Sequence, residues 1–231
     1  MADAALENVT HCLALAEAQN DELKTFITLT PEQARTDAAA ADAAATEGRW
    51  LGLLHGMPMA IKDNIDTAGI RTTSGAGFWA ERVPNDDAPV VKRLKAAGAV
   101  IVGKATLGEL VFDVRSHNPV VGYAKNPWNR ERSPGGSSGG SAAALAADMC
   151  IGALGSDTGG SVRIPAAFCG VSGLRPTHGA VPNSGATPVS VGNDTIGPMA
   201  RRVEDVARIF AVMAGYDLSL IHISEPTRQH H

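Results

Sequence analysis

The chain has 231 residues, 44% of them hydrophobic and 19% charged, which is enough for one substantial buried core. Its 20 basic and 24 acidic side chains leave a net charge of -4 with the signs interspersed, which argues against a direct nucleic-acid partner. No apolar run is long enough to span a bilayer, so no membrane partner is expected, and Cys12, Cys150 and Cys169 form no metal-type CxxC pair and read as reduced thiols.

The opening MADAALENVT has neither the basic nor the apolar region of a secretory leader, and a cytoplasmic location is expected. Leu6, Val9, Leu13 and Ala16 recur at near-helical spacing, predicting an amphipathic helix over residues 4–19. Phe26–Leu29 reads as a short strand. Thr30, Pro31 and Gln33 then supply an N-cap, a proline at the first helical position and a glutamine three residues after the cap, so residues 34–47 are predicted to form an exposed helix on a larger body. Residues 59–62 read as a strand that runs into a loop and leaves Lys62 at its end. Taken alone, a lysine there is a solvated charge.

A helix is predicted from Asp87-Ala88-Pro89 through Ala97, closed by Gly98, and residues 99–102 read as a buried strand, the alternation of an α/β protein. Gly103-Lys104-Ala105-Thr106 resembles half a phosphate loop, but the GxxxxGK[ST] frame is missing and nucleotide binding is rejected. Residues 112–123, with Ser116, His117 and Asn118, read as a loop near a site. His117 alone is more simply a hydrogen-bonded histidine than a catalytic base.

Residues 133–161, SPGGSSGGSAAALAADMCIGALGSDTGGS, hold two glycine-serine clusters separated by a helix-forming run (142–147) and a strand-like run (151–154). A flexible linker is the alternative that composition allows. The intervening elements argue against it, because glycines at two such points suit unusual dihedrals or close backbone approach. The backbone N–H groups of Thr158, Gly159, Gly160 and Ser161 could converge on one point as an oxyanion hole. Asp157 and Arg163 lie amid apolar and glycine residues, which favours an ion pair holding this loop over two surface charges. Residues 164–168 and 171–174 read as further apolar core, 177–193 as a long loop, and 202–214 as an amphipathic helix ended by Gly215.

The run GGSSGGSAAALAA followed by LGSDTGGSVRIPAAFCGVSGLRPT resembles the amidase signature family, serine hydrolases with a Ser-Ser-Lys triad. The blocks GLLHGMPMAIKDNIDTAG, DAPVVKRLKAAGAVIVGKATLGEL and DTIGPMARRVEDVA extend the resemblance over most of residues 51–214. The family implies a mixed central β-sheet covered by helices on both faces. It also implies Ser161 as nucleophile, Lys62 as base, and Ser137 as the bridge between them, behind a cis peptide bond. Ser138 becomes a supporting hydrogen-bonding residue. The implied reaction is hydrolysis of a linear carboxylic amide through an acyl-enzyme, on a small-molecule substrate, without metal or organic cofactor.

Two further readings accompany this one. The first is the A-type subunit of a glutamyl/aspartyl-tRNA amidotransferase, whose members tend to carry glutamine where this chain has Ile164 and to differ over residues 112–119. The second is an inactive fragment. Family domains run beyond this length, so residues 1–217 are expected to be the N-terminal portion of an amidase signature domain that lacks its C-terminal part. Residues 218–231 look like a translated library adapter, a non-native tail. The chain by itself is expected to be inactive, and homo-oligomerisation is left open.

Overall fold

The computed structural model describes residues 5–215; the expected tail at 218–231 lies outside them. Helix α1 (Ala5–Leu23) buries Val9, Leu13 and Ala16, the predicted face, and continues beyond the predicted end. Strand β1 (Phe26–Leu29) follows, then helix α2 (Pro31–Thr46) with proline in its first turn. Thr30 does not cap α2 through its side chain; its Oγ1 donates instead to the Ile101 carbonyl at 2.8 Å, fastening the helix start to the sheet. Ala34, Ala38, Ala41 and Ala44 form a buried stripe, so α2 is half-embedded rather than exposed.

Strand β2 (Pro58–Lys62), helix α3 (Pro89–Ala96) and strand β3 (Val100–Ala105) build a parallel β-α-β unit. The Gly103-Lys104 pair lies inside β3, not in a loop. The stretch expected as loop at 112–123 contains a small hairpin of β4 (His117–Asn118) and β5 (Gly122–Tyr123), where the His117 ring stacks on Tyr123 with centroids 3.9 Å apart. Helix α4 (Gly139–Ala146) starts inside the first glycine-serine cluster. Strand β6 (Gly152–Asp157), helix α5 (Arg163–Cys169), strand β7 (Ser172–Gly173), strand β8 (Thr195–Ala200) and helix α6 (Val203–Met213) complete the order. The segment 177–193 carries no helix or strand. Residues 164–168 do not all join the core: α5 buries Pro165 and Ala166 but leaves Phe168 58% exposed, since a helix this short packs one side only.

The main sheet runs β1-β3-β2-β6-β8-β7, with β3, β2 and β6 parallel and β1, β8 and β7 antiparallel to their neighbours. Alternate residues supply two cores. Ala60, Val102 and Met199 pack with α1, α2 and α4 on one face, while Met59, Ile61, Ile101 and Ile196 pack with α3 and α6 on the other. The sheet is therefore mixed and covered by helices on both faces. The described helices include none long and apolar enough to cross a membrane.

Strand β8 escapes a sequence reading because Gly197 and Pro198 argue against an interior strand. Pro198 is tolerated because β7 pairs only with Met199 and Ala200 on that side, and its carbonyl still accepts Leu174 N–H at 3.0 Å. Helix α4 approaches the sheet closely for a related reason. Gly140 N–H donates to Thr106 O at 3.0 Å, and a Cβ on Gly140 would collide with the backbone of Thr25 and Thr106. Backbone cannot swing aside as a side chain can, so Gly140→Ala is expected to destabilise by roughly 1–3 kcal/mol. Gly192→Ala, which meets nothing, should stay within about 0.5 kcal/mol. Urea unfolding midpoints of the two variants check this, and equal midpoints would contradict the packing argument.

Candidate active site

Strands β2 and β6 are parallel, so their C-terminal ends bring Lys62 and Asp157 to the same edge of the sheet, where open α/β sheets place their ligands. Lys62 is not a solvated charge. Its side chain has no exposure, and Nζ lies 2.7 Å from Ser137 Oγ, 2.9 Å from Ser156 Oγ and 3.4 Å from Ser156 O. Asn64 Nδ2 donates to Ser156 Oγ at 3.3 Å, which steadies that hydroxyl. Burial lowers the amine from an ordinary lysine value of 10.5 to about 7, against the opposing pull of Asp157 and Asp194.

Ser137 sits at the turn into α4, and the Gly136–Ser137 peptide is cis. The turn is clamped from the hairpin side. Buried Ser116 donates from Oγ to Gly135 O at 2.9 Å and accepts Gly139 N–H at 2.9 Å. A Cβ on Gly136 would strike the backbone between Asp113 and Arg115, so this serine turn can lie against that segment only with glycine there. Ser138 joins the two clusters: its N–H donates to Ser161 O at 3.2 Å, and its Oγ lies 3.3 Å from both the N–H and the carbonyl of Ser156.

The loop bearing Ser161 is organised by Asp157. This buried carboxylate accepts Gly160 N–H at 2.7 Å and Val162 N–H at 3.1 Å, and receives Arg163 Nε and a terminal nitrogen, each at 3.0 Å. Burial by itself would raise the carboxyl; the Arg163 guanidinium and the two N–H groups outweigh it and hold the group below its ordinary value. Arg175 adds a second guanidinium 3.3 Å away. Among the described residues Ser161 Oγ makes no hydrogen bond. The N–H groups of Thr158, Gly159 and Ser161 likewise have no acceptor there, whereas the Gly160 N–H expected to join them is engaged by Asp157.

Beside Ser156 and Thr158 opens a cavity of about 140 Å³. Its far wall comes from the 177–193 loop and the start of β8, with Ala186, Pro188, Val189 and Ile196 among its apolar residues. Asp194 ties this wall to the site: Oδ1 accepts Thr158 Oγ1 at 2.5 Å, and Oδ2 accepts the N–H groups of Val189 and Ser190 at 2.8 and 2.9 Å. Ser156, Asn64, Arg175 and Asp194 were not singled out from the sequence. The only local signal was that Ser156 lies one residue before Asp157, in a run ending a strand. Arg175 and Asp194 reach the site from distant segments.

The family model described as Amidase matches residues 7–230. The A-type subunit of glutamyl-tRNA(Gln) amidotransferase from Thermosynechococcus vestitus is 48% identical over 195 residues, 84% of this chain and 40% of that protein. Its counterpart in Moorella thermoacetica is 47% identical over 201 residues, 87% of this chain and 41% of that protein. In structure, peptide amidase from Stenotrophomonas maltophilia gives a TM-score of 0.91 at 37% identity, covering 97% of this chain and 48% of that one. The A-type amidotransferase subunit from Thermotoga maritima gives 0.82 at 36% identity, covering 94% and 45%. The chain thus spans about two-fifths of the length of the curated relatives it matches.

The lowered Lys62 value makes a stability prediction. Below about pH 7 the amine is protonated folded and unfolded, and the full penalty of burying its charge is present. Between 7 and 10.5 the unfolded chain binds more protons at this site than the folded one, so rising pH relieves the penalty. Relative to Lys62→Met, the parent should gain stability across that window and show a constant difference below it. Urea unfolding of both proteins from pH 6 to 10 measures this; a difference independent of pH would show that the amine is not held neutral.

Proposed function

The chain belongs to the amidase family, and from that premise we propose that it cleaves a carboxylic amide through an acyl-enzyme on Ser161. The observation that carries this reading is the dry contact between Lys62 Nζ and Ser137 Oγ at 2.7 Å, with the amine lowered to about 7. A base must be unprotonated to accept a proton, and an ordinary lysine is almost never so at neutral pH. Three oxygens surround Nζ. A neutral amine can donate its two hydrogens to the Ser156 oxygens and keep its lone pair for the Ser137 hydroxyl.

In the proposed sequence, Ser161 Oγ attacks the amide carbonyl carbon while its proton passes to Ser137 Oγ, and the Ser137 proton passes to Lys62. The carbonyl oxygen takes the negative charge. In this reading the N–H groups of Thr158, Gly159 and Ser161, which have no acceptor among the described residues, receive it, each typically contributing about 3 kcal/mol, with Gly160 left to hold the loop through Asp157. The relay returns the proton to the leaving nitrogen, and ammonia or an amine departs. Water then attacks the acyl-enzyme through the same relay, releasing the acid and restoring Ser161.

The apolar wall of the adjoining cavity fits an uncharged acyl or amine substituent. A second reading is favoured by sequence identity: the amidotransferase subunits at 47–48% suggest glutamine as ammonia donor within a complex. Ile164, in place of the glutamine common in that group, and the apolar wall favour the free-standing amidase. A neutral apolar amide should therefore displace a fluorescent probe from the site at lower concentration than glutamine does; the reverse order supports the second reading.

Labelling with a fluorophosphonate tests the nucleophile, because it needs one substitution at phosphorus, with fluoride leaving, rather than turnover. Peptide mass spectrometry should find the adduct on Ser161, absent in Ser161→Ala. An adduct on Ser137, Ser138 or Ser141 with Ser161 clean would sink the assignment. Labelling should also slow as pH falls through about 7, the value of Lys62, and the slowing should survive replacement of His55, His117 or His178 singly. Loss of that pH dependence in any histidine variant would move the base away from Lys62.

A further inference from the structure

A second lysine is as deeply buried as Lys62, and the proposed reaction does not use it. Lys104 has no exposure; its Nζ donates to Ile65 O at 2.6 Å and to Thr72 Oγ1 at 2.7 Å, and lies 3.8 Å from Asp63 Oδ1. Asp63 is equally buried and is the residue after Lys62. We propose that Lys104 and Asp63 form a clamp that fixes the turn after β2, and so holds the Lys62 amine against Ser137; Lys104 is then a positioning residue. This inference rests on the reading of Lys62 as the base.

The placement depends on a slip in the β2–β3 ladder. Met59 pairs with Ile101 but Ala60 pairs with Gly103, so one residue of β3 is extra. Before the slip Val102 faces the α4 side; after it Lys104 pairs with Ile61, whose side chain lies in the opposite core, and Ala105 pairs with Lys62. The bulge thus sends Lys104 to the far side of the sheet from the Lys62 amine. Gly103 permits it, since a Cβ there would meet Thr28 O at 2.5 Å.

Several polar groups of the turn are tied down from that side. Asp63 N–H donates to Ala105 O at 3.0 Å, and Asp63 O accepts Ser74 N–H at 3.0 Å. Asp63 Oδ2 accepts Thr73 N–H at 2.8 Å and Thr73 Oγ1 at 2.5 Å. Ile65 N–H closes the turn on Lys62 O at 3.0 Å, and Lys104 holds Ile65 by its carbonyl. The lysine hydrogens go to neutral acceptors, while Asp63 Oδ1 has no hydrogen bond and serves as counter-charge. A buried pair of this kind adds little net stability over apolar residues of similar size, so its effect is looked for in geometry.

The test compares the parent with Lys104→Met and with the double variant Lys104→Met/Asp63→Asn. The single variant strands a buried carboxylate and is expected to lose stability; the double variant has no unpaired charge and recovers much of it. Titration of Lys62 by NMR of 13Cε-labelled lysine, its signal identified by its loss in Lys62→Met, gives the decisive readout. Asp157 and Asp194, the charges that act on Lys62, are intact in every variant. If the clamp positions the amine, the folded double variant should titrate upward by about one unit as water reaches Nζ, and fluorophosphonate labelling of Ser161 should fall roughly 100-fold per folded molecule. A folded double variant whose Lys62 titrates as in the parent overturns the proposal. Failure of the double variant to fold also overturns it, assigning the pair to stability alone. A parent that is not labelled at Ser161 would count against the hydrolase reading, and the Lys62 titration would still decide the clamp.

Discussion

A primary amine held out of water is the constraint on which the rest of this structure depends. Desolvation disfavours the ammonium form, and the site offers Lys62 oxygens of serine and peptide rather than an adjacent carboxylate. Had an acid stood within contact distance, the proton would have been held and the amine would be inert as a base. The acidic groups that act on it, Asp157 and Asp194, are instead occupied elsewhere. Asp157 is bound by two guanidinium groups and loop N–H groups, and Asp194 by Thr158 and the 189–190 backbone. Those carboxylates shape the loops without neutralising the lysine.

Keeping the amine dry demands close packing around it, and the chain achieves this with small residues. Helix α4 brings glycine, serine and alanine against the sheet, and its backbone touches Thr106 while Ser141 Oγ reaches Leu154 O at 2.9 Å. The first glycine-serine cluster, which composition alone could assign to a linker, is thereby buried between strands and hairpin, whereas in the second only Gly160 is buried. The bulged β2–β3 ladder gives each face of the sheet its own lysine, so one amine can sit in the proposed reaction centre while the other, in the proposed clamp, braces the chain behind it.

Elements with a period were legible. The stripe of Leu13 and Ala16, the Pro31 and Pro89 starts and the Gly98 and Gly215 stops all mark helices that the structure contains. Strand β8 was hidden by Gly197-Pro198, and its place between β6 and β7 is a long-range fact that no local pattern encodes. Thr30 read as a cap because capping is judged along the chain, whereas Ile101 competes for its hydroxyl across the sheet. At the site, Lys62 alone read as surface charge; only resemblance set it beside Ser137 and Ser161. Ser156 and Asn64 went unremarked because short polar residues are common near strand ends. Gly160 was counted with its neighbours because spacing cannot tell a free N–H from one already claimed by Asp157.

The small-residue helix has an evolutionary consequence. All but the last residue of α4 is buried, and only Leu145 has a bulky side chain, so nearly every substitution there adds volume where none is free. The 177–193 loop is less constrained where it lines the cavity: Val181 is buried in the core and Asn183 holds Ile196 N–H, but Pro188, Val189 and Val191 are only partly buried or exposed and can change with less cost to the sheet. Tolerance to substitution is therefore expected to be lowest around the amine and higher along the cavity wall. A frame of this kind lets ligand preference change while the proposed reaction centre stays still, and a mutant library would gain most from diversity placed at the cavity-lining positions of that loop.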